Sequence, residues 1–198
     1  MKLIGLTGGI ASGKTMVTDY LISLGAPVVD ADVVSRRITE LGSPVLQEIA
    51  EAFGADCLDE NGGLRRQKLA QMIFEDADNR LKLNRITHPR ITEAIRSEIE
   101  QYRSEGKAAV IYSAPLLLEA GRNNMTDEVW IVALDPEEQI KRLMARDGID
   151  EEAAKKRLKA QSSLEEKLAL ADKVIDNNGS REASMAQVKA LWEEASGA

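Results

Sequence analysis

The chain has 198 residues, 43% of them hydrophobic and 30% charged, an ordinary globular composition that excludes wholesale disorder and fibrous repeats. Its 33 acidic and 26 basic residues give a net charge of −7, which disfavours an extended nucleic-acid-binding surface. Cys57 is the only cysteine, so no internal disulfide can form, and the apolar N-terminal run is far shorter than the roughly 20 residues that cross a bilayer. We therefore expect a cytoplasmic protein with no nucleic-acid and no membrane partner.

Short apolar runs alternate with helical patterns along most of the chain. Strands are predicted at residues 3–6, 27–29, 108–112, 129–134 and 174–175. Helices are predicted at residues 14–24, 137–146, 151–161 and 182–192. This alternation predicts an α/β fold with a mainly parallel five-stranded sheet. Trp130 and Trp192 lie in a strand and an amphipathic helix, so we expect both in the core.

The interval 31–105 has a different pattern. Val45, Ile49 and Phe53 recur every four residues, and further isoleucines continue the helical spacing, whereas no convincing strand appears. We predict a helical insertion after the second strand, with a loop at residues 54–63.

A phosphate-binding loop follows the first predicted strand. Its pattern G-x-x-x-x-G-K-[ST] spans Gly8 to Thr15 and precedes a predicted helix, which is the context the motif requires. Glycines allow backbone N–H groups to surround phosphate oxygens, Lys14 reaches the β and γ phosphates, and the Thr15 hydroxyl ligates Mg²⁺. We expect Mg²⁺ as cofactor and, if the protein is a kinase, ATP as co-substrate. The predicted ATP contacts come from Gly9, Ile10, Ala11, Ser12, Gly13, Lys14, Thr15 and Met16. The alternative is a glycine-rich turn with an exposed lysine.

Two aspartates stand where the second strand leaves the sheet. Ligands of open α/β folds bind beyond the carboxyl ends of strands, so Asp32 is a candidate general base and Asp30 a candidate orienting group or partner of magnesium-bound water. Helix capping or turn formation is the alternative for both.

Two arginines, Arg142 and Arg146, lie four apart on one face of a predicted helix. Arginines on a helical lid stabilise a transferring phosphoryl group and exclude water. The alternative is a solvated face with ion pairs to Glu138 or Asp150.

The single histidine, His88, precedes Pro89, and proline favours the first turn of a helix. Local context therefore predicts a cap or turn residue, and without a neighbouring cysteine or second histidine a metal ligand is disfavoured.

Several nucleotide-binding classes remain open at this point. No Asn-Lys dipeptide occurs, so the guanine-reading motif of GTPases is missing, and the D-x-x-G matches at 59–62 and 176–179 are interpreted as turns. Two alternatives stay open. One is a kinase of another small molecule, such as a nucleoside monophosphate, and the other is a nucleotide-dependent switch protein.

The ordered set of motifs resembles one family, dephospho-CoA kinase, over nearly the whole chain. The motifs that carry the resemblance lie at residues 6–15, 29–32 with Arg36, 42–44, 53–54, 64–66, Asn84 with 88–89, 115–119 and 176–179. The resemblance implies a three-layer P-loop kinase fold similar to nucleoside monophosphate kinases, and phosphorylation of the ribose 3′-hydroxyl of dephospho-CoA by ATP.

The resemblance also implies an organisation within a single domain. The core comprises about 1–30, 106–136 and 172–198, the insertion at about 31–105 holds dephospho-CoA, and about 137–171 forms the lid. Asp32 is then the general base, and Asp30, Arg36, Arg66 and His88 join it on the acceptor side, while Asn177 lies near adenine. We expect a monomer or weak homo-oligomer whose partners are ATP and dephospho-CoA.

Two positions depart from the family pattern. Ala11 stands where relatives usually have glycine, which is compatible with the loop if its φ is negative. Ser113 stands where many relatives have aspartate or an apolar residue, so no strand-borne carboxylate is assigned to magnesium beyond Asp30 and Asp32.

Overall fold

The computed structural model describes residues 1–197, and of Glu75 the backbone alone. The chain forms two compact units. One comprises Met1–Asp30 together with the chain from Gln101 onward, and the other comprises Ala31–Glu100.

The first unit is built on a five-stranded sheet in which every strand pair is parallel. The strands are β1 (Lys2–Gly8), β2 (Val28–Asp30), β3 (Ala109–Ser113), β4 (Glu128–Ala133) and β5 (Lys173–Asp176), in the spatial order β2-β3-β1-β4-β5. The side chains of β3 and β4 are buried throughout, and those of β1 almost throughout, as expected of parallel strands covered on both faces. The predicted α/β fold and parallel sheet are confirmed.

Five helices belong to this unit: α1 (Lys14–Ser23), α6 (Pro136–Asp147), α7 (Glu151–Lys159), α8 (Leu164–Leu168) and α9 (Arg181–Ser196). Its core includes Ile4, Leu6, Leu21, Trp130 and Trp192. Both tryptophans are buried, at 0% and 7% exposed, so their predicted core placement is confirmed. Buried Trp130 also donates its indole N–H to Glu128 Oε1 at 2.7 Å, which satisfies its one polar atom.

The second unit is helical, as its spacing predicts. It contains α2 (Ala31–Arg37), α3 (Pro44–Phe53), α4 (Arg66–Glu75) and all but the last turn of α5 (Ala77–Ser104), with a 3₁₀ turn at Ala55–Cys57. Its core is formed by Val45, Ile49, Cys57 and Leu69. Within the predicted loop, the turn at Asp59 closes through Gly62 N–H donating to Asp59 O at 2.9 Å, so the first D-x-x-G match is a turn.

Helix α5 corrects one expectation. It runs for 28 residues through His88 and Pro89, so the prediction of a cap or turn at His88 is wrong. Pro89 lacks the N–H that would bond one turn back. We attribute the unbroken course of the helix through Pro89 to packing, because Ile95 and Ile99 are buried along the turns that follow. Tertiary burial here outweighs the local preference of proline for a helix start.

Among residues 1–197, none of the helices combines the length and the apolar character that crossing a bilayer requires.

An ion pair between a buried lysine and a partly exposed glutamate ties α8 to the loop that follows β3. Lys167 on α8 is 2% exposed and donates to Glu119 Oε1. Glu119 also accepts from the Ser162 N–H at 3.3 Å. Burial by itself acts to raise the pKa of Glu119, but the hydrogen bond and charge of Lys167 outweigh it, and the pKa lies below its ordinary value of 4.5.

Glu119→Gln is expected to destabilise the fold by about 1–3 kcal/mol at neutral pH, because the buried Lys167 ammonium loses its counter-charge. A carboxyl whose pKa is lowered by folding stabilises above its ordinary pKa, and that stabilisation is lost as the pH falls through the lowered value. Urea unfolding should therefore show that the difference in free energy of unfolding between wild type and variant narrows as the pH falls from about 5 to about 3. Glu152→Gln, at an exposed position on α7, is the control, and a pH-independent gap would contradict this account.

Candidate active site

The phosphate-binding loop lies between β1 and α1, as predicted. β1 ends at Gly8 and α1 begins at Lys14. Gly13 precedes the helix with φ 96°, a left-handed conformation that glycine adopts without steric cost. A Cβ at Gly13 would also lie 2.3 Å from Asn177 Nδ2. The second glycine of the motif is therefore required by both backbone conformation and space.

Ala11 is the one non-glycine residue with positive φ among the described residues, at 58°. The negative φ that would accommodate an alanine is thus not adopted. In this region the Cβ crowds the backbone, which costs roughly 1 kcal/mol for a residue with a Cβ. The loop keeps the shape that suits glycine although the residue is alanine.

Ala11→Gly is expected to stabilise the protein by about 0.5–1 kcal/mol, since the relief of strain exceeds the entropy that glycine adds to the unfolded chain. Ala160→Gly makes the same change at an exposed position with φ −78°, where glycine should destabilise by a similar amount. Urea denaturation of both variants measures the contrast. Destabilisation in both would show that Ala11 stores no strain.

The carboxyl ends of three neighbouring strands bring Lys14, Ser113 and Asp30 together. Lys14 Nζ donates to Ser113 Oγ at 2.8 Å, and Ser113 Oγ donates to Asp30 Oδ2 at 2.9 Å. The Lys14 ammonium also lies 3.6 Å from Asp30 Oδ2. Ser113 is fully buried, and the lysine and aspartate side chains are 11% and 17% exposed. The lysine is therefore held at the sheet edge with a carboxylate beside it.

Ser113 is the member of this cluster whose role sequence reasoning missed. It was noted only as a departure from a family pattern, whereas its hydroxyl bridges the lysine and the aspartate. Asp30 and Ser113 are partners in the register of β2 and β3, which explains why their side chains meet. Only the order of the strands places these two residues side by side.

Oxygen donors suited to a divalent metal lie at the same edge. Thr15 is the second residue of α1 and is exposed, and Asp30 supplies a carboxylate. Hydroxyl and carboxylate oxygens fit Mg²⁺, which is usually bound through one or two such groups together with substrate phosphates. Among residues 1–197, with the side chain of Glu75 left aside, His, Cys, Asp and Glu form no group of three or more that could hold a metal ion.

Asn177 contacts the loop from behind. Its Nδ2 donates to Ser12 O at 2.7 Å, and its Oδ1 accepts from Ser184 Oγ at 2.9 Å. Asn177 is 4% exposed, and its amide links the loop carbonyl of Ser12 to Ser184 on α9. A direct contact between Asn177 and ATP stays a prediction.

The second D-x-x-G match forms a turn in which the Asn178 N–H donates to Asp176 Oδ1.

The two predicted lid arginines lie on α6 in ion pairs within their own unit. Arg142 Nε donates to Glu138 Oε1 at 3.2 Å, which is the pairing that the alternative interpretation anticipated. Arg146 pairs with Asp147 at 2.7 Å rather than with Asp150, and Arg157 shares that carboxylate at 2.5 Å. Contacts of Arg142 and Arg146 with phosphate stay predictions.

In the second unit, two of the predicted acceptor-side residues meet. An Arg66 guanidinium nitrogen donates to Arg36 O at 3.2 Å and to Thr39 Oγ1 at 2.9 Å. Asp32 is exposed and is the second residue of α2. It is therefore not the N-cap residue, which is the position that the capping alternative requires. His88 is exposed midway along α5. The acceptor roles of these residues stay predictions.

Comparison with known proteins identifies the family. The family model for dephospho-CoA kinase matches residues 2–183. The chain belongs to the dephospho-CoA kinase family. It is 50% identical to the dephospho-CoA kinase of Syntrophotalea carbinolica, over 96% of this chain and 90% of that one. It is 44% identical to the dephospho-CoA kinase of Symbiobacterium thermophilum, over 100% and 82% of the two chains.

A solved structure supports the same assignment. The dephospho-CoA kinase from Campylobacter jejuni matches with a TM-score of 0.74 and 28% identity, over 98% of each chain. The resemblance and the P-loop kinase fold predicted from the sequence are confirmed. A member of this family is a kinase, an ATP-dependent phosphotransferase with an alcohol group as acceptor.

Proposed function

We propose that this chain transfers the γ-phosphate of ATP to the ribose 3′-hydroxyl of dephospho-CoA, giving coenzyme A and ADP in the last step of coenzyme A synthesis. The observation that carries the proposal is the Lys14 ammonium at the sheet edge, 2.8 Å from Ser113 and 3.6 Å from Asp30. Asp30 lies two residues before Asp32. A cationic phosphate ligand and an acidic proton acceptor are what this transfer needs.

In the transfer, the 3′-oxygen of the ribose bonds to the γ-phosphorus while the bond from that phosphorus to the β-γ bridging oxygen breaks. Asp32 accepts the proton that the hydroxyl loses. Covalent geometry limits its Cα to about 7.6 Å from that of Asp30, since consecutive Cα atoms are 3.8 Å apart. The exposure of Asp32 leaves its carboxylate accessible to an acceptor.

Charge on the phosphates is stabilised by groups of the first unit. Lys14 exchanges Ser113 and Asp30 for the β and γ phosphates, and amides of the loop 9–16 other than the Ile10 N–H surround them. Thr15 and Asp30 would hold Mg²⁺, and the bound ion would supply positive charge that neutralises the phosphates. Arg142 and Arg146 meet the transferring group when the lid segment 137–171 closes, and Asn177 contributes near adenine.

Dephospho-CoA is bound by the helical unit. Arg36, Arg66 and His88 supply positive charge or hydrogen-bond donors for its phosphates and ribose, which suits an anionic acceptor. The Arg66 contacts with Arg36 O and Thr39 Oγ1 hold that guanidinium in place before the acceptor arrives. The cytoplasmic location and the monomeric or weakly oligomeric state stay predictions.

An acceptor panel tests the proposal. The purified protein with Mg-ATP is given dephospho-CoA, AMP, shikimate or gluconate, and ADP release is followed together with the position of the new phosphate. We expect dephospho-CoA to be preferred by a wide margin, with phosphate on the 3′ position. The Lys14→Ala variant, purified in parallel, controls for contaminating kinases. A preference for any other acceptor would overturn the substrate assignment.

A further inference from the structure

Two glutamine side chains hold the peptide groups on either side of Ile10 in the phosphate-binding loop. The Ile10 N–H donates to Gln161 Oε1 at 2.8 Å. Gln139 Nε2 donates to Ile10 O at 2.7 Å. A backbone N–H can only donate and a carbonyl can only accept, so the orientation of each glutamine amide is fixed by its partner.

These bonds act where the loop is strained. Ile10 directly precedes Ala11, whose φ is 58°. Holding both the N–H and the carbonyl of Ile10 fixes the peptide planes that lead into this unfavourable conformation. Strained backbone persists where its surroundings over-determine it, and the two glutamines are surroundings of that kind.

The packing around Gln139 supports a specific role. Gln139 lies in the first turn of α6 and is 4% exposed. A Cβ at Gly9 would lie 2.3 Å from its Nε2, so a side chain at Gly9 would displace the amide. The absence of a side chain at Gly9 thus leaves space for the Gln139 amide, which donates to the carbonyl of Ile10.

Gln161 reaches the loop from the connection between α7 and α8. Both glutamines line a cavity of about 350 Å³ whose walls include Gly9, Leu134, Leu158 and Leu164. Apolar walls reduce competition from water and strengthen the hydrogen bonds. The loop is therefore held by two elements of the segment 137–171, not only by its own turn.

We propose that Gln139 and Gln161 are positioning residues that keep the phosphate-binding loop in the shape that binds ATP. They act through the Ile10 peptide groups and need no contact with the nucleotide. The inference rests on the proposed ATP site, and it adds two residues through which that site depends on the lid segment.

One substitution made at both positions gives opposite expectations. Gln161→Glu keeps an oxygen that accepts from the Ile10 N–H. Gln139→Glu replaces the donor by an oxygen that faces the Ile10 carbonyl. With both carboxyls ionised, the two variants add the same negative charge near the loop, so the difference between them isolates the hydrogen bond from the charge. A buried carboxyl at position 139 that keeps its proton can still donate to the Ile10 carbonyl, so binding is measured up to about pH 9, where the loss in Gln139→Glu should be largest.

Calorimetric binding of a non-hydrolysable ATP analogue is the direct measurement, because it needs no turnover. We expect Gln139→Glu to weaken binding about tenfold or more, since a buried carbonyl loses its donor. Gln161→Glu is expected to weaken it by less than about threefold. Steady-state rates should show the same difference in KM for ATP, with little change in KM for dephospho-CoA.

Gln161→Leu keeps the experiment decisive if Gln139→Glu does not fold. Gln161 is only partly buried, and the leucine variant should weaken ATP binding as Gln139→Glu does, whereas Gln161→Glu should not. Equal binding by all variants, or equal loss in both glutamate variants, would overturn the inference. Failure of the wild type to phosphorylate dephospho-CoA, with these binding differences intact, would instead count against the proposed function alone.

Discussion

Asp32→Asn is expected to lower the turnover number by about 10² to 10⁴ while ATP still binds. The amide keeps the shape of the carboxylate but cannot accept the proton of the attacking hydroxyl. Asp32 is exposed in the first turn of α2, so the substitution does not alter the packing of the core. The loss should therefore appear in catalysis rather than in folding.

Single-turnover and steady-state rates, together with calorimetric ATP binding, measure this effect. Asp56→Asn is the matched control, because it removes the same charge from the same unit at an 87% exposed side chain paired with Lys68. Exposed pairs of this kind contribute little, and turnover should be unchanged. Near-normal turnover of Asp32→Asn would exclude Asp32 as the general base.

Lys14→Ala is expected to impair both nucleotide affinity and transfer, with kcat/KM for ATP falling by about 10² to 10³ or more. The ammonium supplies charge to the phosphates in the ground state and to the transferring group in the transition state. The structure holds it at the site through the 2.8 Å bond to Ser113. The Thr15 and Ser113 hydroxyls at the same edge carry no charge and cannot replace it.

The contrast with Asp32→Asn is the informative result. ATP affinity should fall in Lys14→Ala and be retained in Asp32→Asn, which separates phosphate binding from proton transfer. Lys189→Ala, at a 55% exposed side chain on α9, tests for a general effect of charge and should leave both quantities unchanged. Unaltered kinetics in Lys14→Ala would refute the assignment of the loop to phosphate.

Local signals account for the parts of the fold that the sequence predicts well. The five strands were found within about two residues because each is a short apolar run ended by a turn. The helix that begins at Lys14 follows from its apolar spacing and from the glycines before it. Helix α5 shows the limit of such signals, because His88 and Pro89 carry a local preference that packing further along the helix overrides.

The contacts that complete the candidate site were not predictable in the same way. Gln161 meets Ile10 across 151 residues of chain, and Gln139 meets it across 129. Glutamines in helical or linking segments have no spacing that distinguishes them from surface residues. The meeting of Lys14 with Ser113, 99 residues apart, likewise depends on β3 lying beside β1. For Ala11, the glycine of the family pattern was the available signal, because glycine at that position indicates a positive φ. The expectation that a negative φ would accommodate the alanine was wrong.

The sequence by itself determined the phosphate-binding loop, the alternation that builds a parallel sheet, and the family to which the chain belongs. Each of these depends on short segments, within which the spacing of residue types and their conformational preferences are sufficient evidence. The family follows from the order of several such segments along the chain. Tertiary structure alone decided which distant side chains support the loop, since strand order and helix packing bring Ser113, Asn177, Gln139 and Gln161 to one short segment. Those contacts form only after the chain has folded, because hydrogen bonds between remote residues depend on the position of whole elements.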